Sequence, residues 1–414
     1  RPAVRRHPGR HPGPVHGPVT VRAALASALV LAAVACGDPG DVVVDGAVDA
    51  RAADAAVDAV PPTWPFALPP GFPVPRLPPG NPVTAELAEL GRHLFYDRRL
   101  SANGTQACGG CHFQDRAFAD GRVTPSGSTG DVLRRNAMGL TNIAYNPTYT
   151  WANPTSTTLE LQAMIPIFGK HPIELGVAGH EAEIVDRLAA AAGYPARFGA
   201  AFPGQPTPLT WPNIIRAIAA FERRLISGDS PVDRFAGGDA TALTPSEQRG
   251  QVLFFSETLE CVHCHGGFNY SIAVDHAALP VQQSQFFNNG LYNVDGTGAY
   301  PMGDQGLWEF TFDPADSGRF RPPTLRNIAV TAPYMHDGSV ATLEDVLAMY
   351  ERGGRLVTSG PFAGDGRTNP YKSPFVGGFT LTAEQRADLL AFLRALTDQA
   401  FLTDPTLADP FAAP

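Results

Sequence analysis

Apolar residues recur at helical spacing in three stretches of this chain. The first stretch covers about residues 84–96, where Thr84 stands at the position of an N-cap. Its apolar face is formed by Leu87, Leu90, Leu94 and Phe95. The pattern therefore predicts an amphipathic helix with one buried face.

A second helix is predicted to begin at Thr244, because residues 244–247 combine a capping box with proline at the first helical position. The residues that follow repeat an order found in the first helix. They are Gly250, Leu253 and Phe254, which correspond to Gly91, Leu94 and Phe95. This weak internal repeat predicts two similar helical domains joined near residues 228–240.

A third helix start lies at residues 382–385, ahead of the apolar run at residues 388–393, which we expect to close the second domain. Patterns typical of β-strands are few. Proline (40 residues) and glycine (42 residues) are plentiful, which favours long ordered loops. We therefore expect a mainly α fold with two helical domains, long loops and few strands.

The N-terminal segment has the layout of an export signal. Five arginines precede an apolar run at residues 23–35, which ends in small residues at Cys36. The run is short for a transmembrane helix, so we expect residues 1–36 to be a signal peptide. Residues 33–37 resemble a lipoprotein box, in which Cys36 would carry a lipid anchor; ordinary cleavage with an incidental Cys36 is the alternative. Either way, the sequence predicts export to the periplasm.

Residues 37–62 are rich in alanine, valine and aspartate and contain no aromatic residue, which is typical of a disordered tether. The rest of the chain is long enough for two domains, which we expect over residues 63–235 and 236–414. The formal charge of −9 gives no reason to expect nucleic acid or an anionic membrane surface as a partner.

Two Cys-x-x-Cys-His motifs, at residues 108–112 and 261–265, use four of the five cysteines. In this motif the thiols can form thioether bonds to a haem, and the histidine supplies an axial nitrogen to the iron. A zinc site built from all four thiols would leave both histidines without a role. We therefore predict two covalent c-type haems. Their thioether cysteines are Cys108, Cys111, Cys261 and Cys264, and their axial histidines are His112 and His265.

Both motifs, their spacing and residues 321–338 resemble those of the bacterial di-haem cytochrome c peroxidase and MauG superfamily. The resemblance covers residues 81–398. It implies two cytochrome-c-like haem domains, of which the N-terminal one reacts with hydrogen peroxide and the C-terminal one stores or relays electrons. It also implies a tryptophan and a calcium ion between the two haems.

Individual residues of this chain match positions of that family. Trp151 matches the tryptophan between the haems, whose π-system would pass electrons; a packed core tryptophan is the alternative. Asn136, Thr331 and Pro333 match the positions that bind calcium through oxygen atoms, which this hard cation prefers.

The resemblance places the peroxide pocket at residues 159–176. Gln162, Pro166 and Glu174 match the distal glutamine, proline and acid of the family, although Glu174 lies two residues further along than in the peroxidases. The carboxylate would take a proton from the near oxygen of hydrogen peroxide and return it to the leaving oxygen, so that the O–O bond breaks heterolytically. His171 is a nearby competitor for this role.

The chain departs from the peroxidases at the first haem. Many of them carry a blocking histidine eight residues before the calcium-binding asparagine, and Ser128 stands there in this chain. No histidine occurs in residues 124–132. We therefore expect the first iron to be five-coordinate on His112 and open to peroxide.

A second departure concerns the other haem. The peroxidases ligate its iron with a methionine that lies fourteen residues after the histidine matching His336, and that position is Tyr350 here. Met349 would restore a methionine ligand by a slip of one residue. A tyrosine packed in the core is a further alternative.

Helical periodicity favours Tyr350 over its neighbour. Tyr350 shares a helical face with the apolar Leu343 and Leu347, whereas Met349 projects with the polar Asp345. Ligation by histidine and tyrosine is the MauG arrangement, which suits the sharing of two oxidising equivalents between both haems as a bis-Fe(IV) state.

Further segments resemble the MbnH-type di-haem enzymes, which are associated with a copper-binding partner protein called MbnP. These segments are residues 71–75, 81–101, 127–131, 142–154 and 171–176. The resemblance implies peroxide-dependent oxidation of a tryptophan on an MbnP-like partner to kynurenine. A detoxifying peroxidase fed by small cytochromes or cupredoxins is the alternative, and a plain electron-transfer cytochrome with two six-coordinate irons is a third class.

Overall fold

The structure is a computed structural model that describes residues 64–282 and 284–412. Its helices are α1 (Ala85–Tyr96), α2 (Leu159–Phe168), α3 (Glu181–Ala189), α4 (Tyr194–Ala201), α5 (Trp211–Arg223), α6 (Pro231–Ala236), α7 (Pro245–Phe254), α8 (Val262–His265), α9 (Trp308–Thr311), α10 (Leu343–Arg352), α11 (Ala383–Ala395) and α12 (Gln399–Thr403). Two short strands, β1 (Leu356–Val357) and β2 (Gly364–Asp365), pair antiparallel. The prediction of a mainly α fold with few strands is confirmed.

Two sequence predictions fall on residues that the structure does not describe. They are the signal peptide at residues 1–36, with its candidate lipid anchor Cys36, and the tether at residues 37–62. Within the described part of the chain, no helix has the length and apolar character needed to span a membrane.

The predicted helix starts are confirmed. Thr84 caps α1 by accepting a hydrogen bond from the backbone N–H of Leu87 at 3.1 Å. Capping boxes at Thr244 and Thr382 start α7 and α11, because each threonine and the third helical residue bind each other's backbone N–H. These contacts satisfy N–H groups that have no partner inside the helix, and they fix where each helix begins.

Two glycines let neighbouring helices approach closely. α1 packs across α5 at Gly91, where an added Cβ would stand 1.8 Å from the carbonyl oxygen of Ala217. α7 packs across α11 at Gly250, where the Cβ would stand 2.0 Å from the carbonyl oxygen of Asp388. The two helix pairs therefore share one mode of packing, in agreement with the internal repeat of the sequence.

Each helix pair carries its own apolar core. The ring centroids of Phe95 and Phe221 lie 5.1 Å apart in the first core, and those of Phe254 and Phe392 lie 5.2 Å apart in the second. Side chains of α10 complete the second core. α12 comes after the second core in the chain, but it packs Phe401 into the first.

Buried polar groups join the segments between the two cores. Asn142 accepts a hydrogen bond from the backbone N–H of Ser227 at 2.7 Å, and the amide of Asn327 donates to the Ser227 hydroxyl at 3.0 Å. Asn327 also accepts from the backbone N–H of Asp398 at 2.7 Å. Because these groups are buried, losing one bond would leave an unsatisfied polar atom. The predicted domain boundary between residues 235 and 236 stays a prediction.

Gly91→Ala and Gly250→Ala are each expected to lower the free energy of unfolding by about 1–3 kcal/mol, the usual cost of overpacking. The added methyl group would meet a backbone carbonyl, which cannot turn aside as a side chain can. Thermal unfolding followed by circular dichroism would measure the change.

Gly199→Ala is the matched control, because Gly199 lies in α4 and no atom comes within 4 Å of its added Cβ. Alanine there should raise the stability by up to about 1 kcal/mol. Equal stability of Gly91→Ala and Gly199→Ala would contradict the close helix packing.

Candidate active site

Each Cys-x-x-Cys-His motif folds as one tight helical turn. The first contains the 3-10 turn Cys108–Gly110, and the second forms α8. The backbone N–H of His112 donates to the carbonyl of Cys108 at 3.0 Å, and that of His265 donates to the carbonyl of Cys261 at 2.9 Å. The turn brings both thiols and the imidazole of each motif to the wall of one cavity.

The two motif histidines make matching hydrogen bonds. His112 Nδ1 donates to the carbonyl oxygen of Phe118 at 2.6 Å, and His265 Nδ1 donates to that of Tyr270 at 3.2 Å. Because a carbonyl oxygen can only accept, Nδ1 carries the proton, and Nε2 keeps a lone pair with which it could bind a haem iron. Burial lowers the pKa of both imidazoles, to about 4 for His265, so both rings are neutral, as metal ligation requires.

The motifs line two separate cavities, of about 350 Å³ and about 200 Å³. Because one pair of cysteines lies in each cavity, the four thiols do not meet in a shared zinc site. Burial raises the pKa of Cys111 to about 11 and that of Cys264 to about 12, so the thiols are protonated before a haem is attached. The residues present therefore fit two haems.

The residues predicted for the peroxide pocket meet in the first cavity. Gln162 and Pro166 come from α2, and Glu174 comes from the loop that follows. The Glu174 carbonyl accepts a hydrogen bond from the backbone N–H of Ser128 at 2.7 Å, and the N–H of Leu175 donates to the Pro166 carbonyl at 2.9 Å. Burial raises the pKa of the Glu174 carboxyl to about 7, which suits proton transfer near neutral pH.

Ser128, which replaces the blocking histidine, is not among the residues that line the first cavity. Of the described histidines, His112 and His171 line it. The side chain of His171 is exposed. Because His171 lines the same cavity as Glu174, it remains the alternative proton acceptor that the sequence indicated. The open coordination of the first iron remains a prediction.

Tyr350 lines the second cavity together with His265. Met349 does not line this cavity, although its side chain is only 6% exposed and belongs to the second core. Burial raises the pKa of Tyr350 to about 12, and a hydrogen bond with Asn289 lowers it in part. The placement supports Tyr350 as the axial ligand, which remains a prediction. The sequence pattern placed Met349 on the polar side of the helix with Asp345, whereas the structure buries its side chain.

Trp151 lines both cavities. Its indole N–H donates to the carbonyl of Asn136 at 2.9 Å, and its own carbonyl accepts from the backbone N–H of Arg321 at 2.8 Å. The N–H of Asn136 in turn donates to the carbonyl of His336 at 2.8 Å. The indole is thus fixed by residues from both halves of the chain.

The predicted calcium residues Asn136, Thr331 and Pro333 line a third cavity of about 80 Å³, which Trp151 also lines. The amide nitrogen of Asn136 donates to the carbonyl of Arg122 at 2.6 Å, which orients this side chain. The described lining residues offer neutral oxygens of the kind that calcium binds, but they include no carboxylate, and Arg321 and Arg326 add two positive charges. Calcium binding remains a prediction.

Sequence reasoning did not single out several buried charged residues, of which Glu222 and Arg321 line the two motif cavities. Glu222 on α5 lines the first cavity at 7% exposure, and burial raises its pKa to about 8. The available sequence signal for Glu222 was an acidic residue directly after the apolar run at residues 217–221. Arg321 lines the second and third cavities at 2% exposure. It lies in an irregular segment, where periodicity gives no signal.

Tyr350→Phe is expected to change the absorption and EPR spectra of the ferric second haem, because the iron would lose a phenolate ligand. Met349→Leu is the control, since it roughly conserves volume and lies outside the cavity wall. Its spectra should match the wild type. A change in Met349→Leu without one in Tyr350→Phe would assign the ligand to the methionine.

The rate at which the ferric protein reacts with hydrogen peroxide should rise with pH through about 7, because Glu174 accepts a proton only when its carboxyl is ionised. Glu174→Gln should slow the reaction by about 10²- to 10⁴-fold and abolish the rise. His171→Gln should retain the rise. Stopped-flow absorption would measure these rates, and a flat profile in His171→Gln would transfer the role to that histidine.

Comparison with known proteins agrees with this arrangement. Residues 85–241 match the family described as di-haem cytochrome c peroxidase, and residues 319–355 match one described as RoxA-like, cytochrome c-like. The cytochrome-c peroxidase IdrP1 of Pseudomonas sp. strain SCT is 34% identical over 401 residues, which cover 90% of this chain and 97% of the relative. The methylamine utilization protein MauG of Methylophilus methylotrophus is 30% identical, with 81% of this chain and 89% of the relative covered.

A solved structure is similar over most of the chain. The crystal structure of a MauG-like protein associated with microbial copper homeostasis has a TM-score of 0.83 and 49% identity, and the match covers 84% of this chain and 100% of that one. Two cavities lined by c-type haem motifs, and relatives of this similarity, lead to one conclusion. The chain belongs to the di-haem cytochrome c peroxidase and MauG family of haem oxidoreductases that use peroxide.

Proposed function

We propose that this protein is a MauG- and MbnH-like di-haem oxidase that uses hydrogen peroxide to oxidise a partner protein. The observation that carries the proposal is the position of Trp151, which lines both motif cavities. The cavities also differ in chemistry. The first offers Glu174 and Gln162 to a small substrate, whereas Tyr350 lines the second beside His265.

Glu174 carries the proton chemistry of the proposed reaction. Its carboxylate would accept a proton from one oxygen of hydrogen peroxide and return it to the other oxygen as water leaves. The amide of Gln162 can donate a hydrogen bond and so orient the peroxide. A bound haem supplies the electrons for O–O bond cleavage and stores the oxidising equivalents. Trp151 provides the π-system between the two cavities.

The proposed substrate is a tryptophan of an MbnP-like, copper-binding partner, which is converted to kynurenine. The 49% identity to a MauG-like protein associated with copper homeostasis supports this choice. A folded protein cannot enter the buried cavities, so the partner must deliver its electrons from the surface. We place the reaction in the periplasm, with Cys36 as a lipid anchor.

A detoxifying cytochrome c peroxidase is the second candidate function. The 34% identity to IdrP1 over nearly the whole of both chains favours it. In that function small cytochromes or cupredoxins would supply the electrons. Ser128 and Tyr350 favour the oxidase, because they stand where many of the peroxidases carry a histidine and a methionine.

We also propose that calcium binds to the side chain of Asn136 and the carbonyls of Thr331 and Pro333. These residues line one cavity beside Trp151. Because the protein ligands are neutral, a strong chelator should remove the ion. Metal analysis of the purified protein before and after EGTA treatment tests this proposal, and a calcium-free starting protein would refute it.

Trp151→Phe should abolish oxidation of the partner while the first haem still reacts with peroxide, because phenylalanine is much harder to oxidise than an indole. The measurement is mass spectrometry of tryptophan in a purified MbnP-like protein after incubation with the enzyme and hydrogen peroxide. Trp211→Phe is the control. Trp211 lines neither cavity, and its indole N–H donates to the carbonyl of Glu181 at 3.1 Å.

Two results would count against the oxidase. An unmodified partner with the wild-type enzyme, combined with steady peroxide consumption when a reduced small cytochrome is supplied, would favour the detoxifying peroxidase. Partner oxidation by Trp151→Phe at the wild-type rate would remove the indole from the electron path.

A further inference from the structure

Arg321 is a buried cation without a carboxylate partner in the described part of the chain. Arg321 is 2% exposed, and it takes part in no ion pair among the described residues. Its contacts are long. Nε donates to the carbonyl of Thr150 at 3.4 Å, Nη1 to that of Pro322 at 3.5 Å, and Nη2 faces the sulfur of Met138 at 3.2 Å.

The other deeply buried arginines of the described residues are paired. Arg223, 2% exposed, makes two bonds to Glu160 at 2.7 and 2.8 Å. Arg326, 3% exposed, makes two bonds to Asp233 at 2.7 and 2.9 Å. Arg321 is therefore the exception among these three. An uncompensated buried charge is costly, and burial lowers the pKa of Arg321 to about 10.

Arg321 lines the second and third cavities, and its guanidinium contacts Pro322 of the second and Met138 of the third. Among the described residues, the third cavity has no acidic side chain in its lining, and the second has only Glu260. Glu260 already pairs with His263, at 2.9 Å. The described residues thus provide a buried guanidinium at these cavities but no free carboxylate for it to bind.

We propose that Arg321 is the binding site for a carboxylate group of the second haem. Haem carries carboxylate side chains, and a planar guanidinium can bind a carboxylate through two parallel hydrogen bonds. This pairing would neutralise both the buried guanidinium of Arg321 and the haem carboxylate inside the protein. Because the Arg321 backbone also donates to Trp151, it would tie the second haem to the residue between the cavities. The proposal rests on a haem in the second cavity and not on the identity of any partner.

The test uses the holoprotein and measures the midpoint potential of each haem by redox titration with optical detection. Arg321→Gln should lower the potential of the second haem, because a nearby cation that disfavours Fe(III) is removed. The first haem should keep its potential. Arg321→Lys should keep the potential of the second haem close to the wild-type value, since lysine retains the positive charge.

Arg319→Gln is the matched control. It removes the same charge two positions away, but the Arg319 side chain is 40% exposed, pairs with Asp316 at 3.1 Å and lines neither haem cavity. Both potentials should equal those of the wild type. The haem content of every variant, determined as pyridine haemochrome, should remain two per chain.

Three outcomes would overturn the proposal. The first is an unchanged second-haem potential in Arg321→Gln, and the second is a shift confined to the first haem. The third is a wild-type potential that varies with the concentration of chloride or inorganic phosphate at constant ionic strength, which would assign the site to a soluble anion.

A second measurement covers the case in which Arg321→Gln does not accumulate. The propionate bending band in the resonance Raman spectrum of Arg321→Lys should shift, because lysine cannot reproduce the two-bond geometry of the guanidinium. An unshifted band would contradict the proposed pairing. Neither readout involves partner oxidation, so this proposal and the proposed function can fail separately.

Discussion

The structure depends on the fixed position of one indole between two buried cavities. Trp151 contributes to both walls, so any movement of this side chain would alter both haem sites at once. Its indole N–H is bound by Asn136, and its carbonyl is bound by Arg321. The two helix pairs, packed closely at Gly91 and Gly250, each belong to one apolar core, and one cysteine of each haem motif packs against its own core.

Sequence patterns predicted the parts of the structure that local contacts determine. Thr84, Thr244 and Thr382 begin helices where expected, because a capping side chain and the N–H group it binds lie within one turn of each other. The haem motifs are also local, since each carries its thiols and its histidine within five consecutive residues. The attachment sites could therefore be assigned before any tertiary contact was known.

Tertiary packing decides what these patterns could not show. Periodicity favoured Tyr350 over Met349, but it could not predict that Met349 would be buried as well, because packing in the second core decides which side chains of α10 are covered. Glu174 reaches the first cavity through backbone bonds with a distant loop at Ser128. Arg321 opens the segment 321–338 that resembles the family, but no helical or strand periodicity predicts its burial. Arg321 is buried without a carboxylate partner among the described residues, and only the folded structure reveals this.

α12 connects the end of the chain to its first haem motif. Phe401 packs against Phe118, with ring centroids 5.7 Å apart, and the side chain of Gln114 donates to the carbonyl of Phe401, 287 positions further along. Phe118 is also the residue whose carbonyl orients His112. The first Cys-x-x-Cys-His motif and the helix that packs beside it are therefore far apart in the sequence and meet only in the folded chain. Because Phe118 takes part in both contacts, docking of α12 restrains the residue whose carbonyl orients the His112 imidazole.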